Sequence, residues 1–485
     1  FIDLLRDTGQ KLWQILPLGP TSYGDSPYQS FSTFAGNPYF IDLNVLIGKG
    51  WLTKEECDAC DWGDHPSYID YGKIYESRFP LLRKAFERSK ILSDGNFLTF
   101  CVENNHWLDD YALYMAVKNK FGGKSWIEWD EEVRLREPAA LKRYQDELRE
   151  DIIFYQYLQF EFFEQWKNVK NYAHEKGIQI VGDIPIYVAF DSADTWANPE
   201  LFQLDENNLP VAVAGCPPDG FSATGQLWGN PLYRWDYHRN TGYQWWISRL
   251  SYVFRLYDVV RIDHFRGFDE YFSIPYGAEN AIGGHWEKGP GIDLFRKVEQ
   301  ALGWKQVIAE DLGYVTDSVR QLVHDSGFPG MKVIQFAFDS REGSDYLPHN
   351  YEKHCVVYTG THDNDTLMGW MKTAPKASVK FAKEYLNLTE EEGFNWGMMR
   401  AAWASVGDMA IVPMQDLIGI GSEGRMNTPS TLGGNWEWRA TSDQITGKLA
   451  KRLYKYMEMY GRLNKDQEEE EETEAEEKKV SAEEK

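Results

Sequence analysis

The stretch VVRIDHF (residues 259–265) is an apolar run that ends in a carboxylate and a histidine. Similar apolar runs lead into acids in VIAEDLG (residues 307–313) and in YTGTHDN (residues 358–364). Short apolar runs that alternate with amphipathic helices are typical of a parallel sheet. Because parallel strands of a barrel end at a common mouth, we expect the acids of these three stretches to lie close together.

Including the runs within these stretches, seven short apolar runs predict the strands of the sheet. They lie at residues 12–16, 178–183, 258–262, 306–310, 332–336, 355–359 and 410–413. Apolar residues at helical spacing predict helices at residues 154–175, 243–256, 292–302 and 315–325.

We therefore predict a fold of the α/β class, a TIM (β/α)8 barrel with large helical and loop insertions at about residues 42–177 and 187–241. An open doubly wound sheet is the alternative architecture. It is disfavoured because no glycine-rich nucleotide-binding fingerprint follows the early strands.

Composition and charge exclude several classes of function. A net charge of −24 argues against a nucleic-acid partner, which would require a basic face. No apolar run approaches the length of about 18 residues that a membrane span needs, so no membrane partner is expected. The chain has only five cysteines, which is few for a disulfide framework and leaves one unpaired because the number is odd. This favours a cytoplasmic protein with reduced thiols. Cys57 and Cys60 form a lone CxxC without further zinc ligands nearby, and no metal or organic cofactor is expected.

The last part of the chain, residues 464–485, is strongly acidic, and Glu468 to Glu472 form an unbroken run. Such low-complexity, highly charged segments cannot bury enough apolar surface to fold. We therefore predict a disordered tail that follows a catalytic unit at residues 1–463.

The three acids predict a site that cleaves glycosidic bonds. A retaining glycosidase needs a nucleophile and an acid/base about 5–5.5 Å apart, and neighbouring strands supply such a distance. Arg261 precedes Asp263 by two positions, so both side chains share a strand face and the guanidinium would keep the carboxylate ionised. Glu310 has no cation nearby in sequence, and burial would raise its pKa as a general acid requires. Any one such acid is more often a helix cap or a solvated charge, so the prediction depends on their occurring together.

Longer motifs make the interpretation more specific. In order along the chain they are PLGPTSYGDSPYQS (residues 17–30), NPY (37–39), GCPPDGFS (215–222), QLWGNPLY (226–233), MNTP (426–429) and GGNW (433–436). With the three acidic stretches, they resemble the motifs of the amylomaltases, which are the 4-alpha-glucanotransferases or disproportionating enzymes of glycoside hydrolase family 77. The resemblance covers about residues 1 to 462, and the acidic stretches alone are similar to those of the wider α-amylase superfamily.

The resemblance implies roles for individual residues. It implies that Asp263 is the nucleophile, Glu310 the acid/base, and Asp363 a stabiliser that binds sugar hydroxyls. The substrate-binding residues that it implies are Tyr23, Asp25, Ser26, Tyr28, Asp219, Phe221, Trp228, Asn230, Arg261, His264, His362 and Asn427. It also implies that the loop at residues 216–222 folds over the bound glucan, whereas an ordinary surface turn is the alternative.

The activity that the resemblance implies is retaining transglycosylation. An α-1,4-glucan segment would pass from a malto-oligosaccharide, starch or glycogen donor to the 4-hydroxyl of glucose or another glucan. An α-amylase-type hydrolase with the same acids is the nearest alternative, and the transferase-like motifs disfavour it. A non-catalytic starch-binding or scaffold protein is a third possibility, disfavoured because all three acids are present.

Strand counting yields a further expectation. A closed barrel of this type needs eight parallel strands, and the sequence supplies seven. In the superfamily that the motifs resemble, the acids follow strands four, five and seven, whereas here they follow the third, fourth and sixth runs. We therefore expect the first barrel strand to be missing from this chain, upstream of Phe1. Direct pairing between residues 12–16 and 410–413 would contradict this expectation.

Overall fold

The computed structural model describes residues 1–22, 24–218, 222–313, 315–339 and 344–464. Three of the predicted substrate-binding residues, Tyr23, Asp219 and Phe221, lie outside the described residues. The same holds for the acidic tail from residue 465 onward.

The described residues form the following elements. The strands β1 to β11 are Leu12–Gln14, Gln179–Pro185, Ala212–Cys216, Gln226–Pro231, Val259–Asp263, Glu270–Pro275, His285–Lys288, Val307–Ala309, Gly330–Val333, Cys355–Tyr358 and Met409–Ile411. The helices α1 to α19 are Ile2–Asp7, Leu43–Gly48, Lys54–Asp58, Tyr71–Ser89, Gly95–Glu103, Asn105–Lys120, Glu131–Arg134, Pro138–Glu147, Arg149–Glu175, Ala193–Ala197, Trp235–Asn240, Gln244–Leu256, Ile292–Leu302, Asp317–Ser326, Leu367–Thr373, Lys376–Tyr385, Phe394–Trp403, Met414–Ile418 and Gly447–Met459.

The barrel consists of two parallel ladders, in the orders β1-β2-β5-β8 and β9-β10-β11. Between them, the Ala309 amide donates to the Pro329 carbonyl, which brings β8 beside the start of β9. All seven predicted strands are present, and the TIM-barrel-like α/β fold is confirmed. β5, β8 and β10 are buried on both faces except at the end of β5, because helices cover the outside of a barrel and side chains fill its interior.

One strand differs from its prediction. The run at residues 332–336 was expected to be extended, but β9 ends at Val333 and a 3-10 turn, Ile334–Phe336, follows. The strand also begins earlier, at Gly330, where the Asp311 carboxylate approaches so closely that a Cβ would lie 2.4 Å from its Oδ2. Asp311 accepts a hydrogen bond from the Met331 amide there, and only glycine at position 330 leaves room for this contact.

The barrel has a seam between β1 and β11. Among the described residues, β1 pairs only with β2 and β11 pairs only with β10. A cavity of about 830 Å³ extends along the two edges, and residues of both strands line it. The pairing that would have contradicted an additional strand is therefore not found in the described part of the chain, and the eighth strand stays a prediction.

The two insertions differ in character. The first is helical and contains the helix predicted at residues 154–175, which is part of α9, and α9 packs against α6 and α4. The second contains more than loops, because its strands β3 and β4 join β6 and β7 in an antiparallel sheet of order β4-β3-β6-β7. β6 and β7 lie outside the predicted insertion. β6 is hard to recognise in the sequence because its apolar run is interrupted by Ser273, a polar residue that the fold buries.

No helix within the described ranges is both long and apolar enough to span a membrane.

Candidate active site

The strand register brings two of the predicted acids side by side. In the ladder between β5 and β8, Ile262 pairs with Ala309, so Asp263 and Glu310 occupy the next positions on adjoining strands. Neighbouring strands lie about 4.8 Å apart, and directly opposite side chains point to the same side of the sheet. The two carboxyl groups are therefore neighbours at the carboxyl-terminal mouth of the barrel.

Arg261 lies between two carboxylates on the inner face of the barrel. Its Nη1 is 2.6 Å from Asp183 Oδ2, and its Nη2 is 3.2 Å from Asp263 Oδ1. Asp183 belongs to β2 and pairs with Arg261 in register, which explains the direct contact. The hydroxyl of Tyr28 also donates to Asp183 Oδ2, at 2.7 Å.

Asp183 is a site residue that the sequence analysis did not select. It is 1% exposed, and it holds both Arg261 and Tyr28 in place. The signal was available, because the apolar run at residues 178–183 also ends in an acid.

The acid/base candidate, Glu310, is held by two backbone amides. Its Oε2 accepts from the His264 amide at 2.7 Å, and its Oε1 accepts from the Leu312 amide at 2.9 Å. Burial, and then the negative charge of Asp263, raise the pKa of Glu310 to about 8. A carboxyl group with this pKa is protonated at neutral pH, and it can act as a general acid.

Asp263 is subject to opposing influences. Burial raises its pKa to about 6, while the guanidinium of Arg261 acts in the opposite direction. Its side chain keeps 31% exposure toward the cleft, so its desolvation is partial. The physical order is therefore the one that acid and nucleophile require, with the pKa of Glu310 above that of Asp263.

The third acid, Asp363, is brought to the same mouth by the loop that follows β10. Asn427 donates from Nδ2 to Asp363 Oδ1 at 2.7 Å, and the Asn427 amide donates to the His362 carbonyl at 3.0 Å. His362 stacks on Tyr28 with a ring separation of 4.8 Å, and its Nδ1 lies 3.2 Å from the Tyr28 hydroxyl. Asp363 is 46% exposed, so its carboxylate remains available to a ligand.

Two tryptophan rings lie beside these groups. Trp228 meets His264 edge-on at 4.8 Å. Trp436 lies 5.7 Å from Tyr28 and 5.6 Å from His362. Trp436 belongs to the motif at residues 433–436 but was not among the predicted site residues. Apolar faces of sugar rings can pack against such planes.

His264 has an unusual environment. It adopts a left-handed backbone conformation with φ 57°, and this directs its amide toward Glu310. Burial lowers the pKa of its imidazole to about 3, so the ring is neutral at pH 7. Its Nε2 is buried and has no hydrogen-bond partner among the described residues.

The remaining predicted residues occupy different positions. Ser26 accepts a hydrogen bond from the Tyr28 amide through its Oγ, at 3.3 Å. Burial, and then Glu437, raise the pKa of the neighbouring Asp25. Asn230 is buried, and its amide donates to the Val188 carbonyl at 2.8 Å, so this donor is already engaged within the protein.

No group of three or more His, Cys, Asp or Glu side chains within the described part of the chain is arranged to hold a metal ion.

Comparisons with known proteins find relatives over nearly the whole chain. The family model of glycoside hydrolase family 77, described as 4-alpha-glucanotransferase, matches residues 1–445. The 4-alpha-glucanotransferase of Clostridium butyricum is 51% identical, over 95% of this chain and 95% of the relative. That of Streptococcus pneumoniae is 48% identical, over 96% and 92%. The solved amylomaltase from Streptococcus agalactiae in complex with acarbose matches with a TM-score of 0.93 at 41% identity, covering 96% of this chain and 94% of that one.

Proposed function

The chain belongs to the 4-alpha-glucanotransferase family, glycoside hydrolase family 77, and we propose that it acts through a covalent glycosyl-enzyme on Asp263. It is an enzyme that transfers α-1,4-glucan segments between glucan chains. The donors are malto-oligosaccharides, starch or glycogen, and the acceptors are glucose or malto-oligosaccharides. Hydrolysis of the same bonds is not favoured.

In the first half of the reaction, an oxygen of the Asp263 carboxylate attacks the anomeric carbon of the donor sugar. The glycosidic bond breaks as Glu310 gives its proton to the departing oxygen, and the reducing-end fragment leaves with a free 4-hydroxyl. In the second half, the Glu310 carboxylate takes the proton of an acceptor 4-hydroxyl, whose oxygen displaces Asp263. Two displacements at one carbon retain the α configuration.

The observation that carries this assignment is the placement of Asp263 beside Glu310, with the guanidinium of Arg261 in direct contact with the Asp263 carboxylate. Arg261 favours the ionised form of Asp263, as nucleophilic attack requires. Glu310, which the amides of His264 and Leu312 orient, is protonated when the donor binds.

Asp363 and His362 are proposed to bind hydroxyls of the sugar attached to Asp263. The Asp363 carboxylate has a fixed donor, Asn427, on one oxygen and retains acceptor capacity for the sugar. Trp228, which is partly exposed beside His264, is proposed to supply a stacking surface for a sugar ring. Contacts to sugar hydroxyls that tighten in the transition state accelerate the reaction, whereas uniform binding does not.

We propose further that Tyr23, Asp25, Ser26 and Tyr28 line the donor side. The loop with Asp219 and Phe221 is proposed to close over the glucan. Residues 1–463 are proposed to form one catalytic unit, followed by the acidic tail, and the cysteine pattern supports a cytoplasmic location.

Incubation with maltotriose tests the proposal. Transfer converts it to glucose and a ladder of longer glucans, with no net rise in reducing ends, because each transfer breaks one glycosidic bond and forms another. Asp263→Asn is expected to form no ladder, which serves as the control. Reducing ends that rise in step with glucose release would establish hydrolysis instead.

A further inference from the structure

The loop that carries His362 and Asp363 runs from residue 360 to residue 366, between β10 and α15. Both of its ends are attached to one buried carboxyl group, that of Asp416 in α18. Before the loop, the Thr359 hydroxyl donates to Asp416 Oδ2 at 2.8 Å. After the loop, the Leu367 amide donates to Asp416 Oδ1, also at 2.8 Å.

Asp416 is itself held firmly. It is 1% exposed, and the side-chain amide of Asn395, in α17, donates to its carbonyl oxygen at 2.8 Å. The carboxyl group therefore joins β10 to α15, while its backbone is anchored to α17. A group that is fixed on three sides can transmit a defined geometry to the segment it bridges.

Other contacts also hold the loop. Gln335 spans it, because its amide donates to the Thr359 carbonyl at 3.3 Å and its Nε2 donates to the Asp365 carbonyl at 2.8 Å. The Thr366 hydroxyl donates to the Ile420 carbonyl at 2.9 Å. Thr361 is held within the loop, because its amide and hydroxyl both contact Asn364 Oδ1. Among the described contacts, Asp416 is the side chain that accepts hydrogen bonds from both Thr359 and Leu367.

We propose that Asp416 is a positioning residue for transglycosylation, which holds the loop at residues 360–366 so that His362 and Asp363 meet the sugar in the productive geometry. This inference rests on the proposed function of Asp363. Asp416 does not contact the reacting atoms, and it acts through the loop. A displacement of about 1 Å in a catalytic group can lower a rate by about 10²-fold. The hydrogen bonds of Asp416 to both ends of the loop, which we call the brace, should therefore affect kcat.

The environment of Asp416 indicates which substitutions are informative. Burial raises the pKa of Asp416 to about 7, and the negative charge of Asp365, which is the charged group acting on it, adds to the effect. Both protonation states retain an oxygen that accepts from the Leu367 amide. Asparagine resembles the protonated state, because its carbonyl can accept from Leu367 while its amide donates to the Thr359 hydroxyl.

The experiment compares Asp416→Ala with Asp416→Asn in the full chain, using maltotriose disproportionation for kcat and KM and thermal unfolding for Tm. Asp416→Ala is expected to lower kcat by on the order of 10²-fold with a much smaller change in KM, because the loop is displaced. Asp416→Asn is expected to keep kcat within a few-fold of the original chain.

Asp194 offers a matched control. It is also buried, and it accepts from the Thr33 amide at 2.8 Å and from the Thr33 hydroxyl at 2.9 Å, the same donor types as at Asp416. Asp194→Ala is therefore expected to lower Tm by an amount similar to Asp416→Ala while kcat changes less than about twofold. Equal losses of kcat in the two variants, or a lowered Tm with unchanged kcat in Asp416→Ala, would overturn the proposal.

A double-mutant cycle with Asp363→Asn identifies the route of the effect. If Asp416 acts through this loop, Asp416→Ala lowers kcat only a few-fold once Asp363 is already altered. A full 10²-fold loss in both backgrounds would contradict the inference. Activity that survives Asp263→Asn would instead refute the proposed function, so the two failures are distinguishable.

If Asp416→Ala does not fold, Thr359→Val supplies the second test. Thr359 is fully buried, and valine has nearly the same shape but lacks the hydroxyl that reaches Asp416. A loss of about tenfold in kcat with KM nearly unchanged supports the brace, and unchanged kcat overturns it.

Discussion

Replacing Arg261 by glutamine is expected to move the pH dependence of the reaction toward higher pH. Activity requires Asp263 ionised and Glu310 protonated, so kcat/KM should rise with pH through about 6 and fall through about 8. The guanidinium lies 3.2 Å from Asp263 Oδ1 and lowers the pKa of both carboxyl groups. Loss of the guanidinium should raise the pKa values of both carboxyl groups. The rise of kcat/KM at low pH, the acid limb, should shift by about 1–3 pH units. It should shift more than the fall at high pH, because Asp263 is the carboxyl group in direct contact with Arg261.

The same substitution should also destabilise the fold. Asp183 is 1% exposed, its Oδ1 has no partner among the described residues, and its Oδ2 depends on Arg261 and Tyr28. Breaking a buried ion pair by removing one partner costs about 3–5 kcal/mol in the free energy of unfolding. Asp183→Asn added to Arg261→Gln removes the unpaired charge and should recover much of that stability. Because the charge of Asp183 also raises the pKa of Asp263, the acid limb should move part of the way back toward lower pH.

The assay is kcat/KM for maltotriose from pH 4.5 to pH 10, with chemical denaturation for stability. Because the two acids interact, the limbs report apparent pKa values of the pair. Arg143→Gln, in an exposed ion pair with Glu132, is the control and should leave both limbs in place. An acid limb that stays fixed or moves to lower pH in Arg261→Gln would refute the electrostatic role assigned to Arg261.

Three further predictions follow from the same site and fold. Asp263→Asn and Glu310→Gln should each lower kcat by several orders of magnitude, while far-UV circular dichroism and Tm stay near those of the original chain. If either variant keeps its kcat, that residue does not have the role proposed for it. Asn427→Ala removes a hydrogen bond to the Asp363 carboxylate, and such a bond is worth about 1.5–3 kcal/mol. We therefore expect kcat to fall roughly 10-fold to 100-fold. A change in Tm alone would show that Asn427 only supports the fold. An N-terminal extension that carries an apolar strand should pair with the facing edges of β1 and β11 and raise Tm. If Tm does not rise, the seam does not hold an eighth strand.

The local pattern of the sequence determined the barrel strands and the three acids. Apolar runs such as 355–359 are recognisable because strands buried on both faces need consecutive apolar residues. The helix predicted at residues 292–302 coincides with α13, Ile292–Leu302, because its apolar residues recur at helical spacing. The convergence of Asp263 and Glu310 was also predictable, since parallel strands that follow one another in a barrel end at the same mouth.

Which groups contact those acids and shift their pKa values depends on the tertiary structure. The contact of Arg261 with Asp183 depends on the register between β2 and β5, and the brace at Asp416 joins segments 49 and 57 positions away from it. The pKa order of Glu310 and Asp263 arises from burial by elements distant in sequence and from their mutual charge. Register, desolvation and long-range hydrogen bonds are properties of several segments packed together, and no single stretch of sequence contains them.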